Sequence, residues 1–330
     1  MRILVTGGAG MVGVKLAERL AREGVAAGEQ ITDMVLADIV EPWSPERASF
    51  DVDTVVADLA DDGVAEGLLA GRPDVIFHLA AVVSGAAEAD FEEGYRTNLD
   101  GSRLLLDRIR RIGGGYRPRV VFSSTLAVFG APFPDVIGDD QCLTPLTSYG
   151  TQKAIVELLL ADYSRRGFLD GIGIRLPTIC VRPGKANRAA SGFFSNIIRE
   201  PLNGLEAVLP VPDDTRHWHA SPRSAVGFLL HAAAIGADAL GSRRCLTMPG
   251  VSVTVGEQIE ALRRIAGDAP VRRIRREPDE TIARIVAGWP RDFDCRRARA
   301  LGFEADADFD EIIRIHIEDE LGGVAPGAGS

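Results

Sequence analysis

The chain opens on short apolar runs that alternate with amphipathic stretches. Arg2–Thr6 (RILVT) has strand length, and Met11–Glu23 carries apolar positions at helical spacing with charges between them. Further apolar runs at Met34–Asp38, Val52–Asp58, Asp74–His78 and Arg119–Ser123 are each followed by helical or turn sequence. Strands that are apolar along nearly their whole length are buried on both faces, as in a parallel sheet covered by helices. Right-handed crossovers then give a doubly wound α/β sheet of the Rossmann type. Beyond about Pro177 the alternation fades, and Pro183, Pro201, Pro210, Pro212 and Pro222 punctuate shorter elements. The pattern predicts a first domain over residues 1–176 and a smaller, mainly substrate-binding C-terminal lobe over 177–325. A helix near 224–236 (Ser224–Ile235) packs back on the sheet, and 326–330 is a flexible tail.

Composition fits this division. The 330 residues, 46% hydrophobic and 25% charged, suit two ordinary domains with sizeable cores. A net charge of −10 repels phosphate backbones, so nucleic acid is not an expected partner. In that setting the basic-then-acidic run Val271–Glu280 reads as an exposed face. The longest uncharged apolar segment runs from Ser224 to just before Asp238, too short to cross a bilayer, and no membrane association is expected. The apolar run after Arg2 is broken by glycines and followed by Lys15, Glu18 and Arg19, which reads as strand then helix rather than a leader. Cys142, Cys180, Cys245 and Cys295 stand far apart without a C-x-x-C pair, which favours reduced thiols and a cytoplasmic setting. His217, His219 and His231 lack partners at metal-ligand spacing, so no metal is expected. Trp218 and Trp289 read as packing residues, with Trp218 also a candidate for the cleft edge.

Directly after the first strand stands TGGAGMVG, with Gly7, Gly10 and Gly13 in the pattern G-x-x-G-x-x-G. The first glycine permits a tight turn, the second lets backbone approach a pyrophosphate, and the third lets helix pack on strand. The pyrophosphate is then expected over Gly10, Met11 and Val12, where free N–H groups and the helix dipole favour an anion. Asp38 closes the next strand at about the separation of a ribose-binding acid. A carboxylate there accepts from a ribose 2′-hydroxyl and repels a 2′-phosphate, and no Lys or Arg stands beside it. The predicted cofactor is NAD rather than NADP.

Tyr149 and Lys153 lie four apart in Y-G-T-Q-K at the start of an apolar-periodic helix, so both can face one cleft. A free phenol has a pKa near ~10, and a nearby ammonium lowers it towards use as a general base. Upstream, FSSTLAVFG leaves the strand with the hydroxyls Ser123, Ser124 and Thr125, at the strand ends where such sheets bind ligands. Tyr149, Lys153 and Thr125 are the candidate catalytic residues.

In this order of motifs the chain resembles the extended short-chain dehydrogenase/reductase (NAD-dependent epimerase/dehydratase) superfamily almost end to end. The matching pieces are TGGAGMVG, the acid after strand two, Asp58-Leu59, HLAA (His78–Ala81), Asn98, FSST and YGTQK. The resemblance implies that Tyr149 is the acid/base and that Lys153 binds the nicotinamide ribose and lowers the tyrosine pKa. It also implies that Thr125 hydrogen-bonds the reacting oxygen. Asp58 and Leu59 would flank adenine, and Leu79, Ala80, Ala81, Asn98, Ser123 and Thr178 would line the cofactor. For Asn98 a capping or turn role is an equal alternative. Pairing of two chains through helices is the family-like expectation, a homodimer.

Most such enzymes act on nucleotide sugars and carry His-Val-x-Asp in the segment equivalent to RHWHASPRSAV (Arg216–Val226), where Ala220 and Pro222 stand in place of His and Asp. Arg175–Leu202, Arg244–Gly267 and HLAAVVSGAAEADFEEG are instead similar to the D-erythronate dehydrogenase family. That resemblance implies NAD-dependent oxidation of the C2 hydroxyl of a four-carbon sugar acid, with threonine where serine is usual at position 125. A small polyhydroxylated anion needs a cation for its carboxylate, and a guanidinium can grip one bidentately. Arg182, Lys185, Arg188 and Arg216 are the cations of the lobe, with Arg182 ranked first and Arg216 second. Ser84, Thr178 and Asn187 are candidates for hydroxyl contacts. The alternative within the fold is a nucleotide-sugar 4-epimerase or dehydratase.

Overall fold

In the computed structural model, residues 1–184 and 191–323 are described; the tail 326–330 lies outside them. The apolar runs pair side by side as parallel strands, Arg2–Thr6 (β1), Asp33–Asp38 (β2), Asp51–Val56 (β3), Val75–His78 (β4) and Arg119–Thr125 (β5), and Asp170–Leu176 (β6), which the sequence pattern did not announce, joins them. Two short strands, Thr178–Ile179 (β7) and Arg216–Ala220 (β8), lead into the lobe, and Cys245–Thr247 (β9) returns to the sheet. The central order is β9-β6-β5-β4-β1-β2-β3, seven strands, all parallel. Chain direction across the sheet reverses between β1 and β4, which puts the topological switch point, where such sheets bind ligands, at their carboxyl ends beside Thr6 and His78.

Burial on both faces follows the strand alternation. Ile3, Val5 and Val121 pack on one side with Leu16, Ala17 and Leu20 of helix Met11–Glu23 (α1) and with Phe228 and Leu229 of helix Pro222–Ala234 (α5). Leu4, Val120 and Phe122 pack on the other with Leu105, Leu106 and Ile109 of helix Ser102–Ile112 (α2) and Val156 and Leu160 of helix Ser148–Arg165 (α3). On β6, a Cβ at Gly171 would meet Leu160 Cγ at 2.6 Å, and one at Gly173 would meet Cys245 Sγ at 2.6 Å. The glycines of DGIGIRL therefore let α3 and β9 close on that strand.

A third cluster forms the core of the C-terminal lobe, from Phe194 and Ile198 of helix Gly192–Leu202 (α4), Ile259 and Leu262 of helix Val255–Ala266 (α6), and Ile312 and Ile313 of helix Phe309–Glu320 (α7). In front of it β8 pairs with β7 in parallel and with Val251–Thr254 (β10) antiparallel. Helix α5 packs on the sheet, and β9, also later in the chain than Pro177, extends it by one strand. The Val271–Glu280 run is exposed over most of its length, as its charge pattern suggests, and within it Ile274–Arg276 pairs with Ala207–Leu209. Trp218 is buried, with its indole N–H on Met248 O at 3.2 Å and its ring against Phe293, away from a cleft edge.

Asp170, at the start of β6, bridges two mostly buried guanidinium groups, Arg119 at 2.7 Å and Arg244 at 2.8 Å. Arg119 also donates to the carbonyls of Ala232 and Ile235 at the end of α5. Removing the one carboxylate leaves both cations uncompensated, so Asp170→Ala is expected to cost ~3–5 kcal/mol. Urea unfolding reads this as a lower midpoint at unchanged m-value.

Candidate active site

The glycine turn is shaped by contacts that tolerate no side chain. Gly7 has φ +78°, and a Cβ there would lie 2.6 Å from Ala80 N. A Cβ on Gly13 would lie 2.2 Å from Gly7 O, so the first turn of α1 is pressed against the loop. Gly10 precedes α1 with no side chain capping it, which leaves the N–H groups at Met11 and Val12 open to an anion. Asp38 accepts from Ala9 N–H at 3.0 Å through Oδ2 and from Ile39 N–H at 2.7 Å through Oδ1. The carboxylate thus braces the turn from the end of β2. Leu79 N–H donates to Thr6 O at 3.0 Å, which brings Leu79, Ala80 and Ala81 to the same edge. A cradle that any Cβ would fill, an uncapped helix start and an acid at the adjacent strand end together fit a dinucleotide.

Asp58 accepts from Ala60 N–H at 2.8 Å and from Arg96 at 2.6 Å. Burial works against its charge, but these donors hold its carboxyl below the ordinary range. Leu59 packs into the sheet core beside Ala37. Asn98 sits in a π-helical stretch, Tyr95–Gly101, that runs into α2. Its amide accepts from Val82 N–H at 2.8 Å and donates to Val82 O at 3.1 Å and to Gln152 Oε1 at 2.7 Å. Asn98 therefore fastens the turn after β4 to α3, a positioning part.

Thr147 caps α3 by accepting from Gly150 N–H at 3.0 Å. A Cβ on Gly150 would lie 2.1 Å from Ala127 O, so the start of α3 sits directly on the end of β5. This contact brings Tyr149 to Thr125. Burial raises the phenol pKa, while a hydrogen bond with Thr125 and the positive charge of Arg182 pull it down. Lys153, 2% exposed, donates from Nζ to Ser123 O at 2.9 Å and lies 4.7 Å from the Phe122 ring and 5.9 Å from the Tyr149 ring. Burial pushes its ammonium down to about 7, against an opposing pull from the Glu157 carboxylate. Behind it, His78 is held between Thr6 Oγ1 and Ser102 Oγ, each at 2.8 Å, and burial keeps it neutral with a pKa of about 3.

On the lobe side, Arg182 donates from Nε to Ile179 O at 3.1 Å and from Nη2 to Ser191 Oγ at 3.0 Å. Among the described residues no carboxylate lies within ion-pair distance of it. Arg216 is different: it pairs with Glu257 at 3.1 Å and donates to Ser252 O at 2.9 Å. The second-ranked cation is thus engaged within its own lobe. Thr178 Oγ1 lies 2.7 Å from His217 Nε2, and His217 Nδ1 lies 3.0 Å from Pro290 O. Burial holds His217 neutral, down to about 4, so Nδ1–H donates to the carbonyl and Nε2 accepts from the threonine. Ser84 begins a short helix, Ser84–Ala89, beyond the Ala80 turn, half-buried, and the structure shows no side-chain hydrogen bond that ties it to Tyr149. Asn187, with Lys185 and Arg188, lies outside the described residues. Among the described residues, no group of three His, Cys, Asp or Glu could hold a metal, and the four cysteines are free thiols.

Sequence reading passed over Arg96, Glu157 and Arg175, and weighed His217 only as a metal ligand. Glu157 carried a readable signal, one further helical turn beyond Tyr149 and Lys153. The others are recognisable only once non-local packing places them.

A family model described as NAD dependent epimerase/dehydratase matches residues 3–219. The chain is 48% identical to D-erythronate dehydrogenase from Cupriavidus necator over 97% of this chain and 98% of that one. It is 42% identical to the enzyme of the same name from Haemophilus influenzae, over 97% and 100%. A crystal structure described as a nucleoside-diphosphate-sugar epimerase from Agrobacterium tumefaciens superposes with a TM-score of 0.97 at 62% identity, covering 98% of this chain and 96% of that one.

Asp38 braces the glycine turn through both carboxylate oxygens. Asp38→Ala is expected to erode the ratio of kcat/KM for NAD over NADP by about ten- to hundredfold, the size of one or two charge-assisted hydrogen bonds. An unchanged ratio would remove Asp38 from ribose recognition.

Proposed function

The chain belongs to the NAD dependent epimerase/dehydratase family and is an NAD-dependent dehydrogenase; we propose that it oxidises the C2 hydroxyl of D-erythronate to the 2-keto acid. The observation that carries the substrate class is Arg182. Its guanidinium is desolvated, oriented by Ile179 O and Ser191, without a carboxylate partner among the described residues, and near enough to Tyr149 for each charge to bear on the other. A cation held in that way is matched by an anionic group on the substrate, next to the carbon that reacts.

When bound, NAD supplies the hydride acceptor. Tyr149 takes the proton from the C2 hydroxyl, and Thr125 hydrogen-bonds the same oxygen. Lys153 keeps positive charge behind the phenol and holds the nicotinamide ribose. Arg182 grips the carboxylate and so selects the hydroxyl beside it. The protein is expected to act as a homodimer, for which the exposed Leu158 on the outer side of α3 offers an apolar contact, and in the reducing cytoplasm. Sedimentation as a monomer would contradict the first of these.

The structure described as a nucleoside-diphosphate-sugar epimerase, at 62% identity, favours a second reading in which NAD is reduced only transiently. A panel of four- to six-carbon sugar acids and UDP-sugars separates the two by absorbance at 340 nm. Net NADH with D-erythronate and none with UDP-sugars is the expected result. Epimer formation from a UDP-sugar without NADH would overturn the proposal. Tyr149→Phe is expected to lower kcat by about 10²–10⁴ with NAD binding retained. Arg182→Ala is expected to raise the KM for the sugar acid by about ten- to hundredfold at unchanged KM for NAD, the loss of a charged hydrogen-bonding partner. An unaltered KM would discard Arg182 as the anchor.

A further inference from the structure

We propose that Glu157 is a positioning residue of this site, a buried carboxylate that keeps the Lys153 ammonium charged and in place from one helical turn away. The proposal rests on reading Tyr149 and Lys153 as the acid/base pair. Glu157 follows Lys153 by four residues on α3, so the two side chains share a face. It is 3% exposed, and its carboxylate accepts from Ser124 Oγ at 2.5 Å. It also accepts from Arg175, whose Nε lies 3.0 and 3.2 Å from its two oxygens and whose Nη2 lies 2.7 Å from one of them. Ser124 is the neighbour of both Ser123, whose carbonyl receives Lys153, and Thr125, the partner of Tyr149. One carboxylate therefore ties α3 to the catalytic end of β5 and, through Arg175, to β6.

The charge inventory around Lys153 shows why this acid matters. The groups that face the ammonium are the Ser123 carbonyl, the Phe122 and Tyr149 rings, and His78, which is neutral. Cys245 faces Glu157, and burial keeps its thiol protonated. Among the described residues Glu157 is the acid of this shell, and its pull opposes the loss of the Lys153 proton caused by burial. Arg175, over the Phe129 ring at 5.1 Å, shares that carboxylate. A pair that served only to fasten β6 to α3 would be replaceable by neutral residues of similar size without effect on Lys153.

The test is the pH dependence of NADH binding to the full chain, read by nicotinamide fluorescence. Lys153 holds the cofactor as a cation, so affinity falls as pH rises through its pKa. Removing Glu157 lets the proton leave at lower pH. In the neutral double variant Glu157→Gln/Arg175→Gln the alkaline midpoint is expected to fall by about one pH unit, so that NADH binds about tenfold more weakly at pH values above both midpoints. Arg175→Gln alone unscreens the carboxylate and is expected to move the midpoint the other way. Circular dichroism melts establish which variants fold, and either folded variant decides. A midpoint equal to wild type in a folded variant overturns the proposal. Lys153→Met separates the two layers: if the alkaline midpoint persists there, it is the reading of Lys153 that fails.

Discussion

The seating of α3 on β5 and β6 depends on side chains that are missing. A Cβ at Gly150 would strike Ala127 O at 2.1 Å, and one at Gly171 would strike Leu160 at 2.6 Å. With both absent, the first turn of the helix reaches the end of β5 and its second half lies against β6. Tyr149 then meets Thr125, and Lys153 meets the Ser123 carbonyl. A helix held even a little further out would keep every residue of the site and lose the hydrogen bonds between them. The same device recurs at the cofactor turn, where Gly7 and Gly13 bring α1 and the Ala80 turn together.

This close approach has an electrostatic cost. It buries a lysine, a glutamate, an arginine and a histidine behind the reacting groups, and each is satisfied by a specific partner. His78 is neutral between two hydroxyls, Glu157 is shared by Ser124 and Arg175, and Lys153 rests on a carbonyl and an aromatic face. Low polarity strengthens the influence of each charge on the next. The site is poised by its surroundings, and no single neighbour of Tyr149 sets its behaviour.

The strands and the cofactor turn were legible in the sequence because their signals are local. RILVT followed by TGGAGMVG states a strand, a turn and a helix in consecutive residues, and Asp38 closes the next strand. Strand β6 was harder to read, since the glycines of DGIGIRL look like a loop until the helix that needs them is in place. Strand β9 belongs to the central sheet although it follows the lobe's first strands, which no local pattern announces. Arg182 and Arg216 look alike as letters; their difference lies in Glu257, which comes from a distant part of the sequence to pair with Arg216 and does not pair with Arg182. Fold and reaction type came from local pattern, and so did the ranking of Arg182 ahead of Arg216, for which three-dimensional contacts supply the reason.

In the proposed reaction Tyr149 serves a net oxidation at the carbon beside the substrate's carboxylate. Its most direct measurement follows the label from D-erythronate deuterated at C2 during turnover with NAD. Deuterium is expected in the reduced nicotinamide, one equivalent per 2-keto acid formed, with a primary isotope effect under conditions that expose the chemical step. Deuterium retained at C2 of a sugar product, or lost to water without accumulation of reduced cofactor, would contradict it.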